Sequence, residues 1–146
     1  MGAAMTTTGV SGVVAIDGQT AAVLILPGVP GYSSQDYPMS AATVAKMLRA
    51  KGVTTAYLEQ GARTEIDLKS DEVWLPFLVV KDIGVGVVAS GIIEALKWFL
   101  KDGRDSRVHA RIAKVTGPKG SYVGLQIDGP AEQVIDVIQK FLDGDD

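Results

Sequence analysis

Cysteine is absent from this 146-residue chain, and histidine occurs once. The first absence excludes a disulfide scaffold, a thiolate nucleophile, a thiolate zinc site and a Cys-ligated iron–sulfur cluster. The second excludes any metal site built on two imidazoles. Excess charge of one sign is lacking too: 14 Lys and Arg against 17 Asp and Glu leave a formal net charge of −3, which argues against a general nucleic-acid binder. What the chain has instead is apolar substance. With 47% hydrophobic and 21% charged residues, it can bury enough surface to offset its conformational entropy in one domain, and it is too short for two.

Residues 1–12 are small and polar and carry no Lys or Arg, so they lack the features of a secretory signal and read as a flexible arm. Two apolar runs, Val13-Val14-Ala15-Ile16 and Ala21-Ala22-Val23-Leu24-Ile25-Leu26, flank Asp17-Gly18-Gln19. Asp-Gly between such runs predicts a hairpin, and the unbroken second run predicts a strand covered on both faces. Pro27-Gly28-Val29-Pro30-Gly31-Tyr32-Ser33-Ser34 is a loop. A helix follows, with Ser40 as N-cap, Met39 and Val44 as a hydrophobic staple, and Gly52 as its stop. The run 53–59 is β-rich, Gln60-Gly61-Ala62 turns the chain, and Thr64, Ile66 and Leu68 alternate with charged residues as in a half-exposed strand.

The segment 73–100 holds only Lys81, Asp82, Glu94 and Lys97 as charges and reads as one long apolar helix over 73–101, with Pro76 in its first turn. Gly84, Gly86 and Gly91 would each cost it roughly 1 kcal/mol, so something must pack closely there. Beyond a turn at 101–105, Val108, Ala110 and Ile112 alternate with Arg107, His109 and Arg111 on one strand, and a second strand puts Val123, Leu125 and Ile127 on one face, the two joined by the turn Gly117-Pro118-Lys119-Gly120. A last helix starts at Pro130 and buries Val134, Ile135, Ile138, Phe141 and Leu142, leaving 143–146 as an acidic tail. The expected fold is α+β: a single domain over 13–142, with helices on one face of a mixed sheet.

Few residues suggest chemistry. The loop at Gly28-Val29-Pro30-Gly31 stands where phosphate-binding turns stand, but lacks a third glycine and has prolines where donor N–H groups are needed. A small-ligand sensor using Gly28, Gly31, Tyr32 and Ser33 is one reading of it, a structural loop the other. Gly117-Pro118-Lys119-Gly120-Ser121 only echoes a P-loop, since it closes a hairpin. His109 lies between Arg107 and Arg111 on one strand face, where no carboxylate is in view to orient it for catalysis. Those three side chains form a positive stripe suited to an anion or an acidic partner. Reversing the charge of Arg107 and Arg111 is expected to leave folding intact.

Charge is also segregated along the chain. Seven Lys or Arg stand between positions 97 and 119 against Asp102 and Asp105, and six acids between 128 and 146 against Lys140. Glu132 and Asp136 of a neighbouring copy are therefore candidate partners for the stripe, by head-to-tail association. Gly86 and Ser90 form a small-xxx-small pattern, which lets helices approach closely either between copies or within one. The stretch 75–93 is long enough to span a bilayer, yet Lys81 and Asp82 near its middle oppose insertion. The acid pairs Glu65/Asp67 and Asp71/Glu72 read as solvated charge. No metal, no cofactor and no nucleic acid is expected.

The apolar helix ending in Ala95-Leu96-Lys97-Trp98-Phe99-Leu100, the charged turn, the Gly117-Pro118-Lys119-Gly120 hairpin and Ile127-Asp128-Gly129-Pro130-Ala131-Glu132 at the last helix together resemble small bacterial proteins of conflict and defence loci. The named group they are similar to is the effector-associated constant component family, over residues 73–142. The resemblance implies a compact α+β module that accompanies a separate effector in the cytoplasm and mediates assembly; it offers no catalytic residues. The expected function is accordingly a non-enzymatic adaptor that self-associates or docks an effector. A membrane-active effector using the 73–101 helix and a small-ligand sensor are the alternatives.

Overall fold

The computed structural model describes residues 5–15, 20–58, 64–67, 72–81, 86–101 and 106–144. The turns expected at Asp17-Gly18-Gln19, Gln60-Gly61-Ala62 and 102–105 lie outside these, as do Leu68, Asp71, Gly84 and residues 145–146. The elements are β1 (Thr6–Val13), β2 (Val23–Leu26), β3 (Tyr37–Pro38), α1 (Ser40–Ala50), β4 (Thr55–Tyr57), β5 (Glu65–Ile66), β6 (Val73–Val80), α2 (Gly86–Leu100), β7 (Arg107–Val115), β8 (Ser121–Pro130) and α3 (Ala131–Asp143). Six strands form one sheet in the order β1-β8-β7-β6-β2-β4, and β3 pairs with β5 separately. Within the six-stranded sheet β6–β7 and β2–β4 are parallel and the other neighbours antiparallel, so the α+β class and the mixed sheet are as expected.

Strand alternation divides the core in two. Val23, Ile25, Leu78, Val80, Val108, Ala110, Ile112 and Ile127 pack with buried residues of all three helices. Leu24, Leu26, Phe77, Val79 and Ala113 form a smaller cluster on the other face, with Val14 and Ala21. The helices therefore cover one face, and loops meet the other. β2, buried along its whole length, is covered on both sides as its unbroken apolar run predicts.

The long apolar helix is the main correction. Residues 73–80 form β6, and the helix is the 15-residue α2. Val, Trp, Phe and Leu without a polar break suit a fully buried strand as well as a helix, and their β-propensity decides. Pro76 does not open a helical turn; it sits where the β6–β7 register shifts between Trp74 and Phe77, a break in the ladder that tolerates a missing N–H. No helix among the described residues is long and apolar enough to cross a membrane. A membrane-active 73–101 helix thus loses its basis, since the first eight residues of that segment are a central strand.

The N-terminal expectations change as well. Thr6–Gly12, expected as part of a flexible arm, and Val13 pair with β8 from Thr6↔Asp128 to Val13↔Ser121. The hairpin expected across 13–26 does not form: β8, β7 and β6 separate β1 from β2. At the start of α1, Ser40 is not the cap; its hydroxyl donates to the Trp74 carbonyl, the cap position is Met39, and Met39 is exposed instead of stapled. Gly52 at φ 84° does end the helix.

The expected β7–β8 hairpin forms, with Val115 opposite Tyr122 next to its turn. Gly120 of its turn has φ +84° and lies so close to Val14 that an added Cβ would fall 2.0 Å from the Val14 carbonyl oxygen. The Val14 N–H donates to the Gly120 carbonyl at 2.9 Å. Gly120→Ala is therefore expected to destabilise the fold by about 2 kcal/mol or more, through backbone strain and a clash that cannot relax into solvent. Urea denaturation compared with wild type measures it.

Candidate functional site

Val108, Ala110 and Ile112 point to the helix side of β7, so Arg107, His109 and Arg111 share the open face. That much matches the expected stripe. The stripe is not, however, a row of solvated cations. His109 is 13% exposed, and its Nδ1 meets Asp128 Oδ1 at 2.5 Å while its Nε2 meets Glu72 Oε1 at 2.5 Å. The expectation that no carboxylate stands near it is thus corrected. Asp128 is its cross-strand partner in the β7–β8 register, and Glu72 enters from just ahead of β6. Trp74 stacks on the imidazole, centroids 4.0 Å apart and planes 18° from parallel. With both nitrogens facing carboxylates and one ring face covered, His109 ties β6, β7 and β8 together and presents neither nitrogen to a substrate.

Arg111 is the second correction. It reaches under loop 27–34, where its Nη2 donates to the Gly28 carbonyl and its guanidinium lies 4.7 Å from the Phe77 ring centroid. Burial pushes its pKa down to about 10. Among the described residues no carboxylate pairs with it. A largely buried arginine held only by a carbonyl and a ring face is not the solvated residue whose charge can be reversed without effect on folding.

The loop above it is ordered by its own residues. Gly28 takes φ +117°, a conformation that lets its carbonyl face Arg111. Ser33 donates to Asp36 Oδ2 at 2.9 Å and accepts from the N–H groups of Gln35 and Asp36. Thr64 donates to the other Asp36 oxygen at 2.5 Å. The hydroxyls of Thr64 and Ser33 lower the pKa of the Asp36 carboxyl, so on acidification it stays ionised to a lower pH than an unpaired aspartate. Ser33, expected as a ligand group, is thus committed within the loop. Gly31 turns the chain at φ +81°, and Tyr32 is exposed with its ring edge-on to Trp74, centroids 5.4 Å apart.

The ligand candidates of the loop and one residue of the stripe, Arg111, therefore converge on one place. Between them is an open depression of about 510 Å³, lined by residues 27–34 and Arg111. Glu132 and Asp136 are elsewhere, exposed on α3 at the opposite side of the sheet, with Asp136 paired to Lys140 at 3.2 Å. Gly86 begins α2 and Ser90 is exposed on it. The close approach is made by Gly91, where an added Cβ would fall 2.5 Å from Val53 Cγ2; the small residue serves packing inside the chain. No group of three acids or histidines that could hold a metal occurs among the described residues. Compared with protein-family models, curated proteins and solved structures, the chain matches none.

Proposed function

We propose that the chain is a non-enzymatic docking module that receives an acidic group of a partner protein in the depression between loop 27–34 and Arg111. The observation that carries this reading is the guanidinium of Arg111: largely buried, fixed by the Gly28 carbonyl, and without a carboxylate partner among the described residues. A planar cation whose desolvation is already met is pre-organised for a carboxylate, which completes its charge balance. Tyr32, with Trp74 edge-on behind it, supplies the aromatic rim that docking surfaces favour. The commitment of both His109 nitrogens supports binding over catalysis. In keeping with the likeness of residues 73–142, the partner is a separate effector in a bacterial cytoplasm.

A short glutamate-rich peptide stands in for that partner. It is expected to raise the melting temperature of the wild-type protein, as a ligand of the folded state must, and to do so less at high salt. Arg111→Leu should remove the effect. An equal rise in both proteins, or none in wild type, overturns the assignment.

A further inference from the structure

β1 closes one end of the sheet, pairing with β8 through eight consecutive residues without a register break. Among the described residues no strand covers its outer side. A free edge of this kind presents unpaired N–H and C=O groups, and proteins usually blunt it with Lys, Pro, a bulge or a very short strand. The opposite edge is blunted: β4 has three residues, and Arg49 donates to the Thr55 carbonyl from Nη2 at 3.0 Å and from Nε at 3.3 Å. The sequence of β1, Thr6-Thr7-Thr8-Gly9-Val10-Ser11-Gly12-Val13, has none of these devices.

We propose that two copies of the chain join β1 to β1, antiparallel and centred on Gly9, so that their sheets become one. A two-fold axis normal to the sheet keeps the helices of both copies on the same side, and side chains of like parity then meet. Centring on Gly9 lays Met5 of each copy against Val13 of the other and Thr7 against Ser11. Met5 and Val13 are 38% and 71% exposed, and Val123, diagonal to Val13 on the same face, is 50% exposed. The pairing thus covers an apolar flank that the helices leave open. No charge lies on β1, so the axis brings no like charges together. This surface is independent of the Arg111 depression.

Light scattering after size exclusion, with amide hydrogen exchange at several concentrations, tests the seam. Wild type is expected to be a dimer whose 6–13 amides gain protection as concentration rises. At Gly9 an added Cβ meets nothing within 4 Å, so Gly9→Lys should keep the fold while placing two cations on the axis, and should run as a monomer. Val13→Lys, at an exposed position, should do the same if Gly9→Lys fails to fold. Arg111→Leu should leave the dimer intact. A wild-type monomer at high micromolar concentration overturns the proposal, as does a dimer that survives both lysine variants or leaves the 6–13 amides unprotected.

Discussion

Ile112→Asp is expected to abolish the folded state. Ile112 is 1% exposed at the middle of β7, on the face that packs against the three helices. A carboxylate there finds neither water nor a cation, and an unpaired buried charge costs several kcal/mol even after relaxation. The lost aliphatic packing adds about 2–5 kcal/mol. Together these reach the whole stability of a typical domain, about 5–15 kcal/mol. Circular dichroism should show no cooperative transition, whereas Ile112→Val should melt as a folded protein weakened by about 0.5–1.5 kcal/mol.

The second large effect is at Arg111, and its sign depends on the replacement. Arg111→Glu sets a carboxylate under the Gly28 carbonyl and over the negative face of Phe77, in a place already desolvated. A loss of about 3–5 kcal/mol is expected, the scale of an uncompensated buried charge. Arg111→Leu should instead stay within about 1 kcal/mol of wild type, because it removes a cost along with a contact. Burial lowers the guanidinium pKa to about 10, which corresponds to a cost on the order of 3 kcal/mol. Below about pH 10 both folded and unfolded chains carry the charge, so the fold bears that whole cost; above it the folded chain releases its proton first and the cost is relieved. Urea denaturation of the two variants should therefore separate them widely, and equal losses would show that Arg111 acts only as a pin for the loop.

Some of this was legible in the sequence because period and turn chemistry agreed. The 117–120 turn marks the β7–β8 hairpin, but the alternation along each strand does not by itself show that Asp128 stands opposite His109. α1 and α3 follow their apolar stripes. Residues 73–80 defeated the same reasoning because a strand buried on both faces loses its period of two, and Pro76 at a register shift mimics a helix start. β1 was hidden for the opposite reason: an edge strand of Thr, Ser and Gly has little to bury. Glu72 could not be joined to His109 while 73–80 was held to be helix, and the Arg111–Gly28 contact spans 83 positions, beyond any local pattern.

The docking claim is tested most directly by the fluorescence of Trp74, which stacks on His109 and meets Tyr32 at the rim of the depression. In a Trp98→Phe background Trp74 is the sole tryptophan, since the chain has two. Titration with the glutamate-rich peptide is predicted to change its emission saturably, and the change should vanish when Arg111→Leu is added. An emission that stays constant through the titration, or that responds equally with and without Arg111, would contradict the account.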